Sequence, residues 1–124
     1  MFDHVALNVR DYHASLAFYE QALAPLGYRL LNASEDRHSA AFGTDGVEFI
    51  INQREPFGTG THVAFTAADR ATVDAFHAAA VGAGGRDNGA PGIREQYHPD
   101  YYAAFVYDLD GNNIEAVCHV GSAD

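Results

Sequence analysis

Two histidines and two glutamates stand out because they occur in two copies of one pattern. His4 lies in Asp-His-Val-Ala-Leu, and His62, 58 residues further along, lies in Thr-His-Val-Ala-Phe. Glu48 and Glu115 each follow a β-branched residue near the end of their copy. Two imidazoles and two carboxylates form a donor set that suits a divalent ion such as Zn, Ni, Co, Mn or Fe. The pattern therefore predicts one metal site between the copies, with His4, Glu48, His62 and Glu115 as ligands.

Each of these residues also has a purely structural interpretation. A lone histidine on a strand is often a hydrogen-bonded core residue, and Glu48 is compatible with the solvent side of an edge strand. Glu115 differs, because it stands in an otherwise apolar run (Ile114, Ala116, Val117), where an unpaired carboxylate is unfavourable to bury. Of the four residues, Glu115 therefore has the strongest individual indication of a functional role.

The repeat also predicts the elements that position these residues. In each copy a strand is followed by an aspartate N-cap (Asp11 and Asp69), a helix that ends at glycine, and further strands. The predicted strands cover residues 3–9, 28–33, 38–43 and 47–52 in the first copy, and 61–67, 101–107 and 113–119 in the second. The order predicts a single α+β domain, 1–124, built of two tandem βαβββ units, 1–54 and 59–120, with a linker at 54–60.

An added segment distinguishes the second copy from the first. Residues 86–102 combine glycine and proline with three tyrosines and a histidine, which is typical of a loop with polar aromatic tips. We interpret it as a lid or wall over the metal. Its predicted substrate-facing residues are Arg94, Tyr97, His98, Tyr101 and Tyr102. The alternative is a surface loop in which Tyr101 and Tyr102 begin a strand, with one side chain pointing inward and the other outward.

Composition excludes several classes of partner. The formal net charge is −10, and the seven cationic residues form no cluster, which argues against nucleic acid and anionic membrane surfaces. No apolar run reaches the roughly 18 residues that a membrane span requires. The single cysteine, Cys118, rules out an internal disulfide framework and favours a cytoplasmic location. The expected partner is a small molecule.

With these motifs in place, the chain resembles the vicinal oxygen chelate superfamily, which includes glyoxalase I, bleomycin-resistance proteins, fosfomycin-resistance enzymes and extradiol dioxygenases. The resemblance rests on Asp11, on Phe18-Tyr19 and Leu26-Gly27-Tyr28, and above all on the stretch Asp-Leu-Asp-Gly-Asn-Asn-Ile-Glu at 108–115. It implies curved mixed sheets around a metal cleft and a homodimer. In glyoxalase I one His and one Glu of each unit hold the metal, at the positions of His4, Glu48, His62 and Glu115.

The resemblance also implies a chemistry. A carboxylate at the metal moves a proton between adjacent carbons of a substrate with vicinal oxygens, and Glu115 is the expected base with Glu48 as its partner. The resemblance to glyoxalase I implies glutathione or another thiol as a possible co-substrate, and Asn52 matches a glutathione contact. Asn8 stands where bacterial glyoxalase I has an arginine, which argues against glutathione here. Asn8 and Asn52 remain predicted substrate contacts.

The leading functional prediction is a metal-dependent, glyoxalase-like enzyme of the lyase or isomerase type. One alternative is a non-catalytic protein that sequesters a bleomycin-type cationic drug, for which the acidic charge is suitable. Another is a ring-cleaving dioxygenase that holds ferrous iron with His4, His62 and Glu115 while Glu48 points away. His119 and Cys118, at the end of the last strand, are predicted to be structural.

Overall fold

The computed structural model describes residues 1–121, in which two units repeat the order strand, helix and three strands. The first unit contains β1 (Val5–Asn8), α1 (Tyr12–Leu23), β2 (Arg29–Ser34), β3 (Ser39–Gly43) and β4 (Val47–Asn52). The second contains β5 (His62–Thr66), α2 (Arg70–Gly82), β6 (Arg86–Ile93), β7 (Tyr102–Tyr107) and β8 (Asn113–Cys118). The predicted α+β class and tandem βαβββ units are confirmed. Positions 122–124 of the predicted domain lie outside the described residues.

Each unit forms its own four-stranded mixed sheet. The strand order is β1-β4-β3-β2 in the first sheet and β5-β8-β7-β6 in the second. The first strand of each unit pairs in parallel with the last, and the other pairs are antiparallel. Helix α2 packs on β6, β7 and β8, and it also packs against α1, so one hydrophobic core serves both units. The candidate site described below lies on the opposite face of the second sheet.

Both helices begin at their predicted N-caps, but α1 ends at Leu23 and α2 at Gly82, before the glycines predicted to end them. The Asp11 carboxylate accepts the Ala14 N–H at 3.1 Å, and the Asp69 carboxylate accepts the Thr72 N–H at 2.8 Å. A short 3₁₀ turn follows α1 and ends at Gly27, whose φ of 84° is a left-handed conformation that glycine adopts without strain. Within residues 1–121, neither α-helix has the length and hydropathy needed to cross a bilayer.

Strand β6 lies inside the segment that the sequence predicts to be a loop. Residues 86–93 pair with β7 along the edge of the second sheet, and only the part from Arg94 to Tyr101 remains outside regular structure. The sequence prediction is wrong here because Gly89, Pro91 and Gly92 are typical of turns. An edge strand tolerates these residues, because a proline whose nitrogen faces solvent removes no hydrogen bond between strands. The pairing of β6 with β7 is also irregular at Gly89 and Gly92.

The sheets also correct the predicted equivalence of Glu48 and Glu115. In the second unit Ala64 of β5 lies opposite Glu115 of β8. In the first unit Ala6, the repeat counterpart of Ala64, lies opposite Ile50 of β4. The sheet position of Glu115 is therefore occupied by Ile50 in the first unit, and Glu48 has no exact counterpart in the second.

A β-bulge at Glu48 accompanies this two-residue offset. Phe42 of β3 pairs with Phe49, whereas the next residue, Gly43, pairs with Val47, so Glu48 is an additional residue between two pairs. A bulge redirects the side chain of the residue it inserts. Gly43 accommodates it, because a Cβ at that position would meet the carbonyl oxygen of Gly46 at 1.9 Å. Glu48 is exposed as a result, unlike Glu115.

A buried polar network joins α1 to the turn between β7 and β8. The Tyr19 hydroxyl donates to Oδ2 of Asp108 at 2.5 Å, and Asn112 Nδ2 donates to the same oxygen at 3.1 Å. Oδ1 of Asp108 accepts the backbone N–H groups of Asp110 and Asn112. Burial, followed by the Asp108 carboxylate, raises the pKa of Tyr19 well above its usual value. The network connects the first helix of one unit to the last turn of the other.

Candidate functional site

Glu115 is a nearly fully buried carboxylate on the face of the second sheet that α2 does not cover. It is 1% exposed. Its Oε1 lies 2.8 Å from Nε2 of His62, and its Oε2 accepts a hydrogen bond from the Tyr101 hydroxyl. The His62 side chain is 51% exposed, so the imidazole connects the buried carboxylate with solvent. The predicted pair of His62 and Glu115 is therefore in direct contact.

The register of the sheet brings these groups together. Ala64 lies opposite Glu115, and His62, two residues earlier on β5, presents its side chain on the same face. Phe105 of β7 pairs directly with Glu115. The neighbours of Glu115 along β8, Ile114 and Ala116, point the other way and belong to the hydrophobic core. Strand alternation thus places one carboxylate among residues that are otherwise apolar.

Tyr101 and its aromatic neighbours line one side of this site. The Tyr101 ring lies 5.1 Å from Tyr97 and 5.1 Å from His119, both edge-on. Burial, followed by the hydrogen bond and charge of Glu115, raises the pKa of Tyr101 far above its usual value, so its hydroxyl donates at neutral pH. His119, predicted to be structural, lies beside the site because it shares strand parity with Glu115.

Arg94 forms the opposite side. Its guanidinium lies over the Phe105 ring, 5.3 Å from the centroid, and the Phe105 ring centroid is 6.3 Å from that of His62. Nη2 donates to the Ala90 carbonyl at 2.7 Å, and the backbone N–H donates to the Tyr101 carbonyl at 2.7 Å. Phe105 was not singled out by the sequence; its pairing with Glu115 across β7 and β8 is the signal that identifies it.

The first histidine–glutamate pair lies in a different place. His4 and Glu48 line a cavity of about 420 Å³ between the units, together with Tyr28, Thr44 and residues 63–66 of β5, whereas neither His62 nor Glu115 lines it. His4 Nδ1 is 2.7 Å from Oδ1 of Asp3, and Glu48 Oε2 accepts from the Thr44 hydroxyl at 3.2 Å. Burial, followed by the Glu48 charge, raises the pKa of Tyr28.

Comparison with known proteins identifies the family. The model of the Glyoxalase/Bleomycin resistance protein/Dioxygenase superfamily matches residues 1–116. The chain belongs to this superfamily. No protein of curated function matches the chain. The resemblance stated from the sequence is therefore confirmed at the level of the family.

Solved structures of the superfamily share the fold. A glyoxalase/bleomycin resistance protein from Albidiferax ferrireducens T118 is 31% identical, with 95% of this chain and 98% of that chain covered and a TM-score of 0.85. The fosfomycin resistance protein FosX from Mesorhizobium loti is 22% identical, with 99% and 93% covered and a TM-score of 0.69. A superfamily enzyme from Burkholderia phytofirmans PsJN is 20% identical, with 94% and 97% covered and a TM-score of 0.73. The last two show similarity of fold alone.

The predicted substrate-facing residues lie on both faces of the second sheet. Tyr102 lies on the face covered by α2, where its hydroxyl donates to Asp74 Oδ1 at 2.6 Å and the Arg70 guanidinium lies 5.1 Å from its ring. Its predicted place in the site is thereby corrected: alternation along β7 turns Tyr101 toward Glu115 and Tyr102 away. His98 lies at the rim, with its ring 6.1 Å from that of His119.

The two predicted asparagine contacts belong to the first unit. Asn8 and Asn52 are paired neighbours on β1 and β4. Asn8 Nδ2 donates to the Pro56 carbonyl at 3.0 Å, and Asn8 also lines a smaller cavity of about 280 Å³. Asn52 Oδ1 accepts from the Ser39 hydroxyl at 2.7 Å. Both side chains therefore have partners within the chain. They lie in the first sheet, whereas the His62–Glu115 pair lies in the second.

The four predicted metal ligands form two separate pairs in this structure. Among residues 1–121, no group of three or more His, Cys, Asp or Glu side chains converges as a metal site would require. Imidazole nitrogen and carboxylate oxygen are nevertheless the donors that divalent transition ions accept. In this structure Nε2 of His62 and Oε1 of Glu115 contact each other directly at 2.8 Å. One chain thus presents half of the predicted coordination at each of two places.

Proposed function

We propose that the protein is a metal-dependent, glyoxalase-like enzyme that performs lyase or isomerase chemistry on a small substrate with adjacent oxygens. The observation that carries this proposal is the buried carboxylate of Glu115, which contacts both His62 and Tyr101 on the sheet face that α2 does not cover. A buried carboxylate destabilises a fold unless it is paired, and such groups concentrate at functional sites.

In this proposal the ion is held by His62 and Glu115 together with His4 and Glu48. When bound, a divalent ion would stabilise negative charge on a substrate oxygen. The preferred candidates are Ni, Zn, Co, Mn and Fe, because all of them accept mixed nitrogen and oxygen donors. A thiol such as glutathione is a weaker candidate co-substrate, because Asn8 stands in place of a cationic contact.

The chain's own residues supply orientation and proton transfer. Tyr101 holds Oε2 of Glu115, which fixes the carboxylate and leaves Oε1 on the side of His62. We assign Glu115 as the base that accepts a proton from a carbon next to the substrate oxygens. Phe105 is the cross-strand neighbour of this carboxylate. Glu48, directed outward by its bulge, is the second carboxylate.

In this proposal a second copy of the chain brings the two pairs together. His4 and Glu48 face a cavity that His62 and Glu115 do not line. Within the described chain, β1 and β5 are edge strands, each bonded to a neighbour on one side. We propose a homodimer in which the first pair of one protomer completes the second pair of its partner, as two-fold symmetry allows.

Mixing two inactive variants tests this arrangement. We expect His4→Ala and His62→Ala each to lose the metal when pure. After subunit exchange, about half of the dimers are mixed and each carries one intact site, so about a quarter of all sites regain metal. The measurement is bound Zn²⁺ per chain after dialysis, with exchange followed by native mass spectrometry.

The matched control mixes His4→Ala with Glu48→Ala. Both substitutions affect the same pair, so every site in every mixed dimer stays defective and no metal is regained. Failure of His4→Ala and His62→Ala to restore any metal, although mixed dimers form, would contradict a site shared between protomers.

The proposed reaction class is tested by solvent exchange. We expect the metal-loaded protein to exchange the hydrogen beside the carbonyl of hydroxyketones or of methylglyoxal–thiol adducts for solvent deuterium, followed by proton NMR. Exchange should stop on chelation of the metal. No exchange across the panel, together with a rise in melting temperature on adding bleomycin, would favour sequestration instead. Ring-cleavage absorbance with catechols and ferrous iron would favour a dioxygenase.

A further inference from the structure

We propose that Arg94 binds a carboxylate of the substrate, so that the substrate is a small acid whose anionic group lies beyond its adjacent oxygens. This inference rests on the proposed function of the His62–Glu115 site and adds the substrate class. It begins from a partly buried guanidinium on the same sheet face as Glu115, stacked over Phe105 at 5.3 Å.

The sheet edge is shaped to receive this guanidinium. A Cβ at Gly89 would meet Phe105 Cδ1 at 2.9 Å and Arg94 Nη2 at 3.2 Å. A Cβ at Gly92 would meet Arg94 Nη1 at 3.1 Å. Side chains at either position would therefore compete with the guanidinium for space. The two glycines of β6 therefore leave room for the guanidinium of Arg94 beside the edge strand and over the Phe105 ring.

Arg94 is held in place but keeps most of its donors free. Its backbone N–H binds the Tyr101 carbonyl, and its own carbonyl accepts from the N–H groups of Tyr97 and His98. Of the five guanidinium N–H donors, one is used by the Ala90 carbonyl at 2.7 Å. Among residues 1–121, no carboxylate lies within ion-pair distance of Arg94. A planar fork with free donors matches a carboxylate.

The position of Arg94 on the sheet relates its guanidinium to the proposed chemistry at His62 and Glu115. Phe105 lies between Arg94 and His62, with ring-to-ring and cation-to-ring separations of 6.3 Å and 5.3 Å. A substrate lying along Phe105 would present its adjacent oxygens to His62 and Glu115 and its acidic end to Arg94. The chain's charge of −10 does not oppose this, because distant surface charges are screened over roughly 8–10 Å while the guanidinium acts in contact.

The test compares malate with lactate. Both have a hydroxyl next to a carboxylate, but only malate has a second carboxylate for Arg94. We follow the Nε–Hε signals of the arginines by NMR in metal-free and in Zn²⁺-loaded protein. We expect malate to shift the Arg94 signal saturably and to bind about tenfold or more tightly than lactate, as a charge-assisted bidentate pair would produce.

Two variants make the result specific. Arg94→Gln should reduce the malate preference to about twofold or less, and Arg94→Lys, which keeps the charge but not the fork, should keep only part of it. Arg37→Gln removes the same charge from an exposed turn and should change nothing. A wild-type ratio near one, or a preference that survives Arg94→Gln, would overturn the inference. Zinc uptake, measured separately, shows whether the metal proposal itself has failed.

Discussion

Glu115→Gln should reduce the affinity for Zn²⁺ or Ni²⁺ by at least about 100-fold, because an amide is a far weaker ligand than a carboxylate. The substitution keeps the size of the side chain and removes one charge. The amide can still accept from Tyr101 and contact His62, so the buried position stays filled. We therefore expect loss of metal and of catalysis while the fold survives.

Calorimetric titration of metal into the two proteins measures this effect. The matched control is Glu20→Gln, because Glu20 is an exposed glutamate on α1 and its substitution changes the net charge equally. His62→Ala should resemble Glu115→Gln. Undiminished metal binding in both site variants would show that the pair is structural and that the ion, if any, binds elsewhere.

The second large effect concerns stability. Asp108→Ala should lower the free energy of unfolding by about 3–5 kcal/mol, because it leaves several buried donors without an acceptor. These donors are the Tyr19 hydroxyl, the Asn112 amide and the N–H groups of Asp110 and Asn112. The network joins α1 of one unit to the last turn of the other, so its loss weakens the contact between the units as well.

Urea denaturation of the wild type and three variants separates the contributions. Asp45→Ala, in an exposed turn, is the matched control and should change stability little. Tyr19→Phe removes one donor together with its need for an acceptor, so we expect a smaller loss of about 1 kcal/mol. A loss below about 1 kcal/mol for Asp108→Ala would mean that water replaces the carboxylate and that the network contributes little.

Much of the fold follows from the internal repeat. Asp11 and Asp69 cap helices at matching places, and glycines follow each helix within a few residues, so the order of elements can be predicted from one chain. Strand β6 could not, because Gly89, Pro91 and Gly92 have turn chemistry and become a strand only through pairing with β7. Local sequence does not contain that long-range partner.

The site was predictable in its residue types and less so in its geometry. His62 and Glu115 meet as the sequence indicates, because one residue per strand suffices to build a pair. The equivalence of Glu48 and Glu115 fails because the pairing of β1 with β4 is offset by two residues from the pairing of β5 with β8, and strand register leaves no trace in composition. Tyr101 and Phe105 depend on cross-strand pairing, which becomes visible only when the register is known.

The most direct test of the central claim is elemental analysis of the native protein for Mn, Fe, Co, Ni, Cu and Zn, expressed per chain. We expect about one ion per chain, as four donors around a single ion require. Ni, Co or Zn would direct the assays toward isomerase chemistry, and Fe toward oxygen chemistry. Absence of any ion, even after reloading with each metal in turn, would contradict the proposed metal-dependent site and favour a ligand-sequestering protein.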